Sequence, residues 1–520
     1  MKSLLGLTDG FRLVGWVATA FSGCLIASQS LSAADQPSAG TESKIAWEKP
    51  RVPEELPESF REVHEKLAAD LKPETNAAAY WLQTIGVDAI DPGLEDATLA
   101  LMGIKAFPAD APRFLTLELY VESLKRFEPE FIEAEALDVQ AELLEGGERL
   151  WKPDELPRAL EYLEKNKAAL DDIAKAARLP NYYLPLLSVD VPPRLISGSF
   201  SVERRLPFIV RVFACRALLR AQNGQMAGAI DDLMTGHRMA LLLAKGSPFD
   251  VSYAKAYIMD AITCRTAMVL LASGKLSGAE AANYRQRLEE LGTLPGPDRA
   301  ADLGERAIIS QEIELLRSDE ESVLGFFESS NEEEVQKLQQ DLLPELDWKL
   351  AHQEADALQD RTVAAFRIKD REQQLKEFLA LYELYQAWDE SADEKIKLFS
   401  KDFAKNKEAA SRWIGESIAM SIRPIYVQRR GSDDRYLARR DLVRVGLALV
   451  EFQREHKQFP DSLSELVPKL LAEIPLDAQS DLPFVYQRHE GGFATLTALG
   501  ANRQDDAGQK YSDDVTVEIR

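Results

Sequence analysis

The sequence predicts a mainly α protein, a bundle or array of helices, ending in a small α+β unit made of one long helix and an antiparallel sheet. Two observations carry this. From Glu58 to about Arg429 apolar residues recur at spacings of three and four, the period of helices with one buried face. Over the last ninety residues the pattern changes to short alternating runs between Gly and Pro, the period of strands. With 520 residues, 45% of them hydrophobic and 28% charged, the chain has material for more than one core. The expected organisation is a signal peptide over 1–34, a linker over 35–57 and a helical domain over 58–295. An acidic helical subdomain over 296–430 and the α+β domain over 431–520 follow.

At the amino terminus, Lys2 and Arg12 supply positive charge, and Leu13 to Ser28 is apolar without an ionised side chain. Ser32-Ala33-Ala34 puts small residues where signal peptidase reads, so cleavage is expected before Asp35. The apolar run falls short of the roughly 20 residues of a bilayer-spanning helix. Cleavage would yield an exported protein, periplasmic or extracellular, with no stable membrane span. The alternative is an uncleaved inner-membrane anchor. Pro37, Pro50, Pro53 and Pro57 mark the polar linker.

In the helical region, Met226, Ile230, Leu233, His237, Leu241 and Ala244 form one stripe within Gln225 to Ala244. Leu206, Val210, Phe213, Ala217 and Ala221 form another, and Asn223-Gly224 is a turn between the two. A third helix is expected over Val251 to Ala272, and Ser277 with Glu280 makes a capping box that opens a fourth. Such short turns require antiparallel neighbours. After Leu294-Pro295-Gly296-Pro297 the chain becomes charge-rich. The runs Asp319-Glu320-Glu321 and Glu332-Glu333-Glu334 read as solvated faces or loops, and Leu375, Leu379, Tyr382 and Tyr385 as an apolar helix face.

In the tail, a helix from Arg435 to near His456 carries Leu442, Val445, Leu449 and Phe452. Ser462 and Glu465 cap a short helix reaching Leu471, which Pro468 should distort. Phe484 to Arg488 and Phe493 to Leu499 flank Glu490-Gly491-Gly492 as a hairpin, and Val515, Val517 and Ile519 mark a last strand.

Composition narrows the function. Sixty-two Lys and Arg against eighty-six Asp and Glu give a net charge of −24, the wrong sign for generic nucleic-acid or anionic-lipid binding, so no nucleic-acid partner is expected. Three cysteines and five histidines exclude a disulfide scaffold and leave little for zinc. Cys215 and Cys264 lie on separate helices of one bundle, as two buried thiols or as a disulfide. The motifs Gly-x-Ser-x-Gly, His-Glu-x-x-His and Gly-x-x-x-x-Gly-Lys-Ser/Thr do not occur. His237 on its apolar stripe reads as a hydrogen-bonded core histidine, and His456 as a helix-end residue. His64, His352 and His489 have no partner at a telling spacing. Tyr80-Trp81 and Asn181-Tyr182-Tyr183 serve either core packing or a groove, packing being the simpler use.

One stretch is more specific. The run from Ala448-Leu449 through Phe452, His456 and Phe459-Pro460 to Leu463 is followed by Ile474-Pro475-Leu476-Asp477, Phe484-Val485-Tyr486, Leu499-Gly500-Ala501-Asn502 and Asp513-Asp514-Val515. In order and spacing this tail resembles the globular domain of major pseudopilins of type II secretion, fused here to an exported helical protein. The resemblance implies a calcium site, with Leu499 offering a carbonyl, Asn502 standing where the family carries an Asp ligand, and Asp513 and Asp514 matching a later acidic pair. The residues agree with that chemistry. Asn502, Asp505, Asp506, Asp513 and Asp514 crowd a segment that Gly500 and Gly508 let bend, and calcium takes six to eight oxygen ligands. The sequence departs from the family at Asn502, which is neutral, at Arg503 and Ala507, where glycines are usual, and at Ala478, where a proline is common. The same residues serve equally as a solvated acidic turn without metal. About four hundred residues precede the unit, so assembly through a pilin-type membrane helix is not expected.

The function expected from sequence is therefore an exported, non-catalytic helical scaffold or binding protein with a calcium-stabilised tail, acting on an unidentified protein or envelope component. Its rivals are a carboxylate-dependent, glycosidase-like hydrolase and a membrane-tethered part of a secretion or envelope machine.

Overall fold

The structure is a computed structural model that describes residues 44–53, 56–69, 71–124, 129–318, 340, 343–399, 406–422, 426–506 and 513–520. The expected signal peptide and both acidic runs of the central region lie outside the described residues. The chain is mostly helical, with a small antiparallel sheet at its carboxyl end.

Strand β1 (Ala46–Trp47) pairs antiparallel with β2 (Ile104–Ala106), fastening the end of the Pro-rich stretch to the helical body through buried Ile45. Around it lie α1 (Glu58–Ala68), α2 (Ala77–Ile85), α3 (Glu95–Met102), α4 (Leu117–Ser123), α5 (Pro129–Gly146), α6 (Pro157–Lys165) and α7 (Lys167–Ala176). Asn76 caps α2 by accepting from the Ala78 amide at 3.1 Å, and its side chain also bonds the Tyr183 backbone in both directions. Trp81, Tyr182 and Tyr183 are buried, with the Trp81 and Tyr182 rings 5.5 Å apart, so these aromatics pack the core.

The long helices α8 (Ser201–Gln222), α9 (Met226–Gly246) and α10 (Asp250–Ala272) pack as antiparallel neighbours, followed by α11 (Gly278–Leu291). Ser277 and Glu280 form the expected capping box of α11. The whole apolar stripe of α9 is buried, His237 included. Beyond a single π-helical turn at Ala300–Glu305, α12 (Arg306–Ser318), α13 (Trp348–Arg367), α14 (Arg371–Phe399) and α15 (Lys407–Ser421) form the charged subdomain. Its inward residues on α14 are Phe378, Leu381 and Trp388, whereas Leu375 and Leu379 are exposed. Apolar residues surround this helix on several sides, so spacing alone did not single out the buried face.

Gly415 on α15 lies where a Cβ would run into the Ala351 carbonyl of α13. Only a glycine lets the two helices come this close, so Gly415→Ala is expected to destabilise the protein by about 1–3 kcal/mol, read from the urea unfolding midpoint.

The last helix, α16 (Tyr426–His456), is followed by a single 3-10 turn, Leu463–Leu466, and by strands β3 (Val485–Arg488), β4 (Ala494–Ala498) and β5 (Val515–Ile519). The Ser462–Glu465 box is present, but the turn stops well before Leu471, because Pro468 has no N–H to continue it. The sheet order is β3-β4-β5, all antiparallel, with Leu496 opposite both Tyr486 and Val517. Leu442, Val445 and Leu449 of α16 share one core with Leu496, Val517 and Ile519 of the sheet. Ile230, Leu271 and Leu288 of the preceding helices belong to the same core, so α16 is buried between sheet and bundle. Arg285 of α11 reinforces the joint by donating to Glu451 at 2.6 Å, as does Arg454 by donating to the Leu276 and Gly274 carbonyls. No helix among the described residues is long and apolar enough to cross a membrane.

Candidate functional site

The acidic turn sits at the open end of the sheet, between β4 and β5. Gly500, two residues after the end of β4, takes φ +68°, and a Cβ there would strike the Asp513 carboxylate. Its amide donates to Oδ2 of Asp477 at 3.1 Å. Asp477 is fully buried and also accepts from the Ser480 hydroxyl and the Gln479 amide, which ties the turn to the 474–483 segment.

Three of the expected site residues converge here. Asp506, Asp513 and Asp514 each offer a carboxylate oxygen, all within 4.8 Å of one another. Opposite ligands of a calcium ion stand about 5 Å apart, so the spacing and the hard oxygen chemistry fit that cation. Asn502 adjoins the group: its amide donates to Asp513 Oδ2 at 3.1 Å, and its side-chain Nδ2 to Asp506 Oδ2 at 2.8 Å. The Asp506 amide donates to Asp514 Oδ2 at 2.7 Å. Partial burial, and then repulsion by Asp506, Asp505 and Asp513, push the Asp514 carboxyl above its ordinary value despite that hydrogen bond. Asp505 thus contributes field at the site. Leu499 is half-buried between β4 and Gly500.

Arg503, in the turn after β4, takes φ +61°. A left-handed arginine is strained, so Arg503→Gly is expected to stabilise the protein by about 0.5–1 kcal/mol in urea unfolding. An unchanged or lowered midpoint would contradict this reading of the turn.

The other polar constellation lies deep in the bundle. His237 on α9, Asp260 and Cys264 on α10, Tyr284 on α11 and Arg440 on α16 meet in one buried network. His237 Nδ1 is 2.6 Å from Asp260 Oδ1, and its Nε2 is 2.9 Å from the Tyr284 hydroxyl. Cys264 Sγ donates to Asp260 Oδ2 at 3.3 Å, and Arg440 Nη1 to Oδ1 at 3.3 Å. Burial holds His237 below its ordinary value and therefore neutral, which assigns the proton to Nδ1 and the Tyr284 proton to Nε2. Burial opposes the charge on Asp260, but His237, Arg440 and Cys264 together keep its carboxyl low and ionised. Spacing in the sequence places none of these partners beside His237. The legible sign was Asp260 itself, a carboxylate on the stripe Tyr257, Cys264, Ala267 and Leu271 that is otherwise apolar.

The remaining titratable candidates are engaged elsewhere. His64 is buried against the Leu186 carbonyl at 3.0 Å and the Tyr183 hydroxyl at 3.2 Å, His352 lies 2.9 Å from Glu314, and His489 bonds Thr495. His456 Nδ1 bonds the Phe452 carbonyl at 3.0 Å, at the helix end. Cys215 and Cys264 are free, buried thiols. A cavity of about 430 Å³ is lined by Asp302, Asp360 and Arg367, and Arg306 bridges its two carboxylates.

No known protein family, curated protein or solved structure matches this chain.

Proposed function

We propose that the chain is an exported, non-catalytic helical scaffold or binding protein whose pseudopilin-like tail is held closed by one calcium ion. The observation that carries the reading is the grouping of Asp506, Asp513 and Asp514 between β4 and β5, with carboxylate oxygens at calcium-ligand separations. The Leu499 carbonyl and Asn502 complete the proposed ligand set, Asn502 by turning its amide so that Oδ1 replaces Nδ2 toward Asp506, and Asp505 adds negative field. A cation there joins the two ends of the sheet and removes the mutual repulsion of the carboxylates, so its role is structural. The tail's long helix, its hairpin and the order of its motifs support the pseudopilin resemblance. The acid–base side chains His237, Asp260 and Tyr284 face one another in the core, which supports a scaffold over a hydrolase.

Export is tested by mass spectrometry of the chain recovered from the extracytoplasmic fraction of expressing cells. The expected mature terminus is Asp35. A chain that keeps Met1 to Ala34 and sediments with membranes would replace the exported scaffold with the tethered alternative.

A further inference from the structure

A thiol, an imidazole and a carboxylate meet in the bundle core, sealed from solvent. His237, Asp260 and Cys264 are each 0% exposed, and the thiol donates to Asp260 Oδ2 at 3.3 Å. Burial, and then the charge of Asp260, holds the Cys264 thiol well above its ordinary value and therefore protonated. Such a thiol is inert as a nucleophile, whereas a coordinated metal ion deprotonates it outright.

What the three side chains offer is a ligand set. Asp260 and Cys264 stand four residues apart on one face of α10, and His237 of the neighbouring helix α9 faces them. A ring nitrogen, a carboxylate oxygen and the sulfur lie within 4.8 Å of one another. Zinc bonds at about 2.0–2.3 Å to these donors place tetrahedral ligand atoms about 3.3–3.7 Å apart. Seating an ion opens the 2.6 Å His237–Asp260 contact by about 0.7 Å, within reach of side-chain rotation. Neighbouring residues hold the donors in place. Arg440 holds Asp260 through Oδ1 at 3.3 Å and leaves Oδ2 free to turn from the thiol to an ion, and the Tyr284 hydroxyl fixes the imidazole from Nε2 at 2.9 Å. A neutral His237 and an ionised Asp260 are already in their ligand forms.

We propose that His237 Nδ1, Asp260 Oδ2 and Cys264 Sγ form a buried structural site for zinc, or a borderline divalent ion of its class, loaded as the chain folds. Mixed nitrogen, oxygen and sulfur donors select such an ion over calcium. The ion takes the place of the Nδ1 proton and the thiol proton. The imidazole regains one proton at Nε2, the Tyr284 hydroxyl turning from donor to acceptor, so one proton is released per ion. Asp260 and the Cys264 thiolate balance the two charges of the ion, while Arg440 keeps the Leu288 and Gly292 carbonyls as acceptors. Three protein ligands leave the fourth tetrahedral position to water. The ion would clamp α9 to α10 at the level where α16 joins them.

Refolding with metal tests the site. After unfolding in urea and stripping with chelator, the full chain is refolded in excess calcium, which satisfies the acidic turn, together with zinc, with cobalt(II), or with neither. One cobalt per chain is expected to survive dialysis and to show the near-ultraviolet charge-transfer band of a cobalt thiolate. Zinc is expected to raise the thermal midpoint by about 3–6 °C over calcium alone. Cys264→Ser should lose the band and most of the zinc shift. The double variant Cys24→Ser/Cys215→Ser leaves Cys264 as the one thiol of the chain and should keep both, which decides the matter even if Cys264→Ser fails to refold. No band in the wild type, a band that persists in Cys264→Ser, or its loss from the double variant would overturn the site.

Discussion

Asp260→Ala is expected to cost about 3–5 kcal/mol of folding free energy. The carboxylate is the common partner of His237, Cys264 and Arg440, all buried. Removing it leaves an arginine charge in the core without its counter-charge and a histidine N–H without an acceptor. Such a loss is a large share of the roughly 5–15 kcal/mol that holds a domain folded. The effect should be mostly electrostatic. The double variant Asp260→Leu/Arg440→Met removes both charges and replaces them with apolar volume, so it is expected to recover a substantial part of the loss. Urea midpoints of the wild type and the two variants measure this. A single variant within about 1 kcal/mol of wild type would mean that the network does not hold α9, α10, α11 and α16 together.

Acid should weaken the fold well before its carboxylates are neutralised. Burial lowers the His64 pKa from 6.5 to about 4, against a smaller opposing effect of the Leu186 carbonyl. Between these values the unfolded chain binds the proton and the folded chain does not. The stabilising contribution is therefore fully present above pH 6.5 and is lost as pH falls towards 4, up to about 3 kcal/mol. Burial moves His237 in the same direction, which adds to the slope. His64→Gln removes the titrating group, so its thermal midpoint should fall less steeply than that of wild type between pH 6.5 and 4. Identical slopes in the two proteins would contradict the assignment. His64 bonds the Leu186 carbonyl and the Tyr183 hydroxyl, so its protonation acts on the 183–186 stretch packed on α1.

Much of the architecture was legible because burial writes a period into the chain. The α9 stripe from Met226 to Ala244 is buried throughout, the Ser277–Glu280 cap opens α11, and the three strands of the tail fall within a residue of their expected limits. Where the period is faint, the reading failed. Helix α16 begins at Tyr426 and not Arg435, since Gln428 to Arg435 is polar and carries no apolar period in the sequence. On α14 two apolar stripes competed, and the core took Phe378 and Leu381 over Leu375 and Leu379. Tertiary pairing was the least legible layer. His237, Asp260 and Arg440 are far apart in sequence, and only the packing of α9, α10 and α16 brings them together. At the acidic turn the residue types and their crowding were readable, while the convergence of Asp506, Asp513 and Asp514 depends on Gly500 folding the chain back after β4.

Isothermal titration of calcium into the protein, after stripping with chelator, tests the proposed staple most directly. One ion per chain is expected for the wild type, with a higher thermal midpoint in calcium than in chelator, and neither effect in Asp513→Ala. Absence of binding heat, together with the same midpoint in calcium and in chelator, would contradict it.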